Sequence, residues 1–211
     1  MAKSGRSSST LPRTSSKAQR TQQERRDATS NAVLQSAVKL FGERGYQKTS
    51  LEDIAADCGT TIRPIYHYYK NKKSLFLAVA EFREQQLLEV FENLEAEQGH
   101  EGNPLPLTTY WQVFTQVCQE PGFRQIVLLD APTILGRDRW LKSPIVLKAI
   151  DYFYDLYPSL GEQNRILVAR VFVAALTEAA LVLSEYESQE KQPSFTELLR
   201  IFEGLTGVGA T

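Results

Sequence analysis

Thr61, Arg63 and His67 lie within seven residues of one another, and bring a hydroxyl, a guanidinium and an imidazole to adjacent turns of one short helix. Such groups hydrogen-bond to phosphate oxygens and to the exposed edges of bases. For Arg63 two readings stand: a contact to guanine O6/N7 or a phosphate, and a solvated surface charge. Thr49 and Ser50, just upstream, carry hydroxyls that can cap a helix and also donate to a phosphate. Ile62 and Pro64 have no hydrogen-bonding side chain, which leaves contact with a thymine methyl. The 62, 65, 69 spacing equally lets Ile62 pack inward. Nowhere does the chain offer a nucleophile with its base, a metal cluster or a cofactor loop at recognisable spacing. The chemistry on offer is recognition of a polyanion, and no catalysis is expected.

Two helices and a turn must hold these groups. Thr49 with Glu52 fits the S/T-x-x-E capping box, which starts a helix at Ser50. Leu51, Ile54 and Ala55 then share its inner face. Gly59 follows, where a residue without Cβ can reverse the chain. Thr61 can cap the next helix, and Pro64 falls in its first turn, where a missing N–H costs nothing. Ile65 and Tyr69 anchor that second helix. The stretch 50–69 therefore reads as a helix-turn-helix. Cys58, before the turn, reads as small buried packing or as a redox-sensitive thiol without a nearby resolving cysteine.

Charge agrees with this placement. The 211 residues carry a formal net charge of −1, but residues 1–80 hold 14 Lys/Arg against 6 Asp/Glu and the remainder 10 against 19. Such asymmetry marks one polyanion-facing end. Two cysteines and two histidines exclude a disulfide framework or a zinc site and suit a reducing, cytoplasmic setting. The longest apolar run, 166–183, is interrupted by Arg170 and Glu178, so no membrane partner is expected.

Along the chain, residues 1–26 are too polar and small to offset chain entropy by burial and read as a flexible basic arm. A helix from near Asp27 to Arg44 presents Val33, Leu34, Ala37, Val38, Leu40 and Phe41 at helical spacing. A long helix begins near Ser74 with Leu75, Val79, Phe82, Leu87, Val90, Phe91 and Leu94 inward, and Glu81, Glu84, Glu89 and Glu92 on its solvated side. After a loop at 99–106, helical periods recur at about 106–119, 121–135, 143–157, 162–188 and 194–206, without strand alternation. Pro132 should bend or split the second of these. An all-α architecture follows, with a helix-turn-helix domain at 27–87 joined by the long helix to a helical domain at 88–211.

The pattern Leu40-Phe41, Gly45-Tyr46, Thr49, Ile54-Ala55, Gly59, Ile65-Tyr66-His67-Tyr68-Tyr69, Asn71-Lys72 and Leu75-Phe76 resembles that of TetR-family transcriptional regulators over roughly Asp27 to Leu87. Leu128 to Pro132 and Gly136 are similar to a segment recurring in some members. The resemblance implies a homodimer that sets one recognition helix in each of two major grooves of a pseudo-palindromic operator. It implies that a small-molecule effector in the C-terminal domain, with no further cofactor or metal, alters the spacing of the two heads. It also implies that Tyr66 and Lys72 contact phosphates; the other reading of Tyr66 is core packing with its hydroxyl at the rim.

A repressor is the leading expectation. A helical interaction module of the same fold that does not read DNA, and a small helical enzyme, are the alternatives. The aromatic residues Tyr110, Trp111, Phe114, Phe123, Trp140, Tyr152, Phe153, Tyr154 and Tyr157 are expected mostly as core, with some lining an effector cavity. Arg170 and Glu178 are candidates for polar contacts to a ligand, for a buried pair or for a dimer-facing pair.

Overall fold

The computed structural model describes residues 14–98, 105–156, 159–185 and 197. Every element among them is helical: α1 (Thr14–Arg44), α2 (Leu51–Asp57), α3 (Ile62–Tyr69), α4 (Lys72–Gln98), α5 (Leu107–Cys118) and α6 (Pro121–Phe123) come first. A π-helical segment (Arg124–Asp130) follows, then α7 (Ala131–Leu135), α8 (Arg137–Trp140), α9 (Pro144–Leu156) and α10 (Glu162–Leu183). The expected helix at 194–206 lies outside the described residues apart from Glu197, as do residues 1–13 of the expected arm and most of the expected loop.

The helix α1 starts earlier than the composition of residues 1–26 suggested, since 14–26 continue it. That stretch is rich in Gln and Arg, which lose little entropy in a helix, and extending a formed helix is far cheaper than nucleating one. Farther along, Val33, Ala37, Leu40 and Phe41 of α1 meet Leu51, Ile54, Ala55, Ile65, Leu75, Phe76 and Val79 in one core with no more than 6% exposure at any of them. Phe41, Tyr46 and Phe76 pack with ring centroids 4.9 to 5.8 Å apart.

The capping frame is shifted by one residue. Ser50, not Thr49, is the N-cap of α2: its Oγ accepts from Asp53 N at 3.0 Å while Asp53 Oδ2 accepts from Ser50 N at 2.9 Å. Thr49 is instead buried, with its hydroxyl within hydrogen-bonding reach of the carbonyls of Gly45 (2.9 Å) and Leu40 (3.1 Å). Asp53, three residues after Ser50, takes the box place that Glu52 holds relative to Thr49, and its shorter carboxylate reaches the Ser50 N–H.

The long helix begins two residues early, at Lys72, because Asn71 Oδ1 accepts from Ser74 N at 2.8 Å and caps it. It passes the expected boundary at 87/88 without a break. Glu84, expected in solvent, is fully buried. It lies four residues after Ala80 and four before Leu88, on the buried stripe, and meets Arg139 of α8 in a two-pronged ion pair with Nη2 2.6 Å from Oε2. Phe82 is only half-buried and Val90 is 41% exposed, so both leave the expected core stripe.

Pro132 does split its segment. With no N–H to give, it sits in the first turn of α7, and the preceding residues widen to a π-helix whose end is marked by Ala131 N–H bonding Ile126 O. This segment and α6 press on the N-terminal helices. A Cβ on Gly42 would fall 2.9 Å from Gly122 Cα, so the two backbones touch where α1 crosses α6.

The helix α10 packs one side on α9 and buries Ala169, Phe172 and Val173 there and nearby. Contrary to expectation, its length and composition suffice to cross a bilayer, with a mean hydropathy of 2.2 over an 18-residue window that is 22% buried. Arg170 and Glu178 are too few against Leu, Val, Ala and Phe to lower that average. On its other side Leu167 is 60% and Val171 52% exposed.

Candidate nucleic-acid interface

The helix α3 is fixed from behind. Ile65 is fully buried, and the Tyr69 hydroxyl stands 3.2 Å from both Oγ and the carbonyl oxygen of Ser30 on α1. With that edge held, Arg63, Tyr66, His67 and Lys70 share the opposite face at i, i+3, i+4 and i+7 spacing, and all four are exposed. Thr61 occupies the N-cap position, exposed, and its side chain makes no capping bond. Of the two readings of Ile62 the inward one describes its packing, since it is half-buried against the core. Pro64 is half-buried too.

Ser36 of α1 ties down α2 by donating to Asp57 Oδ2 at 2.8 Å, and Lys39 Nζ lies 2.6 Å from Asp57 Oδ1. These hydrogen bonds, Lys39's first, hold the Asp57 carboxyl below its ordinary range. The Ser50 side chain does the same to Asp53. Both carboxylates are thus committed to holding the helix pair.

Between the start of α2 and the end of α3 opens a concavity of about 380 Å³ whose wall includes Thr49, Ser50, Tyr66 and Lys72. Four of the expected phosphate contacts therefore converge. Lys48 and Asn71 join the same wall and escaped the sequence reading, although Lys48 sits two residues before Ser50 and is as basic as Lys72. Two ammonium groups, a phenol and amide donors stand around an open hollow with the Glu52 carboxylate on the same wall, which leaves a net positive charge suited to an oxyanion. Thr49 differs from the others in that its hydroxyl is buried, within hydrogen-bonding reach of the carbonyls of Gly45 and Leu40.

Lys72 is partly withdrawn from solvent, with Nζ 4.2 Å from the centre of the Tyr46 ring. Burial lowers its pKa and the nearby Asp130 charge opposes that shift. At the end of α3, Lys70 adopts φ 66° and ψ −46°, and Asn71 N bonds Tyr69 O at 2.7 Å. This is the strained form of the γ-turn, which turns the chain within one residue between α3 and α4.

Beyond the head, Phe91, Tyr110, Tyr152, Phe153 and Phe172 form a ladder of edge-to-face rings linking α4, α5, α9 and α10. Glu95 inserts a charge beside it, accepting from the Tyr110 hydroxyl and from Lys148 Nζ, the latter at 2.8 Å. Cys58 is half-buried against the head's core, while Cys118 is buried and its thiol is pushed up to about 12, mainly by burial. Among the described residues no group of three or more His, Cys, Asp or Glu is arranged to hold a metal.

Residues 33–79 match a family model described as bacterial regulatory proteins of the tetR family, and residues 107–205 match a tetracyclin repressor-like C-terminal domain. The chain is 42% identical over 65 residues to the uncharacterized HTH-type transcriptional regulator YezE of Bacillus subtilis, covering 30% of this chain and 34% of that protein. It is 35% identical over 88 residues to the HTH-type transcriptional regulator AcrR of Shigella flexneri, covering 42% and 40%. The chain thus spans about a third to two fifths of these curated relatives. A solved TetR-family transcriptional regulator from Pectobacterium atrosepticum aligns with a TM-score of 0.54 and 25% identity over 78% of this chain and 86% of that one.

Proposed function

The chain belongs to the TetR family of bacterial regulatory proteins, and from that premise we propose that it is a DNA-binding transcriptional repressor working in the cytoplasm as a homodimer. Residues 27–87 form the reading head and 88–211 the ligand-binding and dimerisation domain. The observation that carries this reading is the outward face of α3, where Arg63, Tyr66, His67 and Lys70 stand exposed over a rigid inner edge beside a basic hollow. In the proposed complex Arg63, His67 and Thr61 meet base edges or phosphates in the major groove. Ser50, Tyr66 and Lys72 grip the backbone, joined by Lys48. The surface left on Ile62 and Pro64 touches thymine methyl groups. Thr49 serves from within, by holding the turn.

Dimerisation is supported by the apolar residues that α10 leaves exposed, Leu167 and Val171 among them. A second copy covers such a face without bringing charges into lipid. A bilayer would have to take in Arg165, Arg170 and Glu178, which makes membrane insertion the poorer explanation. The effector is a small molecule received among the aromatic residues of α4, α5, α9 and α10, and it acts by binding the two arrangements of the heads unequally. No cofactor enters this mechanism. Genome-wide recovery of DNA bound to the protein tests the reading: enrichment of pseudo-palindromic sites with half-sites one helical turn or a multiple apart is expected. Recovery of DNA without a shared motif would favour the interaction module that keeps the fold and reads no sequence.

A further inference from the structure

Arg170 and Glu178 are the two charges within residues 166–183, and among the described residues neither makes an ion pair. They cannot satisfy each other. Eight residues of helix separate them by about 12 Å along the axis, with Ala174 midway. Arg170 is half-buried and Glu178 exposed, and around them Leu167, Val171, Ala174 and Val182 leave the same side of α10 uncovered. Opposite charges left without partners on an apolar helix face ask for complements from whatever covers it.

A second copy of the same helix supplies them in one arrangement. About a two-fold axis set across the helices, a residue n positions before the crossing point meets the residue n positions after it on the partner. Ala174 is the small residue that allows close approach at such a crossing. Four positions to either side stand Arg170 and Glu178, so opposite charges meet across the axis, while Leu167 and Val171 offer exposed apolar surface beside them. A parallel arrangement would instead set Arg170 against Arg170 and Glu178 against Glu178.

We infer that two α10 helices cross antiparallel at Ala174, with Arg170 of each copy paired to Glu178 of the other. The inference rests on the dimeric reading proposed above and adds to it the register and the basis of partner choice. A related chain without this charge spacing would leave both groups unpaired at the interface, so the pairing selects like chains over unlike ones.

The test is made on the full chain by sedimentation equilibrium, with Arg170→Glu and Glu178→Arg prepared separately, mixed, and combined in one chain. Each single variant sets two like-charge pairs across the two-fold axis and should raise the dimer dissociation constant at least about tenfold. Mixing the two variants restores both pairs in a heterodimer, and the doubly substituted chain restores both in a homodimer. Tight association should return in each case, which a misfolded variant or a role within one helix would not produce. Single variants as tight as the unaltered chain, or a mixture no tighter than its components, would overturn the pairing while leaving dimerisation standing. An unaltered chain that stays monomeric at micromolar concentration would overturn both.

Discussion

The carboxylate of Asp130 accepts the backbone N–H of Tyr46 at 2.7 Å, a hydrogen bond between residues 84 positions apart. It joins the end of the π-helical segment to the turn that leads into α2. Close by, the Gly42 and Gly122 backbones touch, and Gln125 Nε2 lies 3.2 Å from where a Gly45 Cβ would be. The reading head therefore rests on the second domain through packed backbone as well as through the continuous α4. A shift of the π segment would be felt at the start of the helix-turn-helix.

Replacing Asp130 with Ala leaves a partly buried N–H without its acceptor, which should cost about 1–3 kcal/mol in urea unfolding. Amide exchange at Tyr46 should quicken in the same variant. Asp130→Asn keeps one acceptor oxygen and should recover part of the loss. Unchanged stability and exchange in Asp130→Ala would show that this contact does not hold the head.

Glu84→Ala should be more severe, at about 3–5 kcal/mol, because it leaves the Arg139 guanidinium without its buried counter-charge. Burial, more than offsetting Arg139, raises the Glu84 pKa. The sign follows: the unfolded chain gives up this proton first, so stability from Glu84 declines as pH climbs from the ordinary carboxylate value to the raised one. That part of the pH profile should be absent in Glu84→Gln, as urea midpoints across pH would record.

Asp57 behaves in the opposite sense. Its lowered pKa means that the stability it contributes is complete above its ordinary value and is lost as pH falls below about 4, through the folded-state value. Acid unfolding monitored by circular dichroism should be less steep in Asp57→Asn. An identical acid limb in the two proteins would contradict the role given to Ser36 and Lys39.

How far these features could be read from sequence depended on whether the deciding partner was near in the chain. Ile65 inward with Arg63 and His67 outward follows from helical period alone, and Gly59 takes the positive φ of 66° that the turn required. The cap was ambiguous because TSLED contains two overlapping frames, Thr49 with Glu52 and Ser50 with Asp53. Burial of Thr49 against α1 decided between them. Glu84 was assigned to solvent for its charge, although its spacing from Ala80 and Leu88 placed it on the buried stripe; Arg139, 55 residues on, carried no local signal. The π segment is a response to Pro132 and to packing on α1, of which only the proline is visible in sequence.

Within the head, Arg63→Ala should alter which operator bases are preferred, whereas Lys72→Ala should weaken binding to all sequences alike. Competition binding against single-base operator variants separates the two. A uniform loss in Arg63→Ala would reassign that residue to a phosphate.

The central claim is that the face of α3 and the adjoining basic hollow bind operator DNA. Affinity for the DNA upstream of the chain's own coding region, measured over a series of salt concentrations, tests this most directly. The account predicts a linear fall of log K with log salt, steepened by about 0.9 for each neutralised phosphate and made shallower by about that much in Lys72→Ala. Binding that is undetectable or indifferent to salt would contradict it.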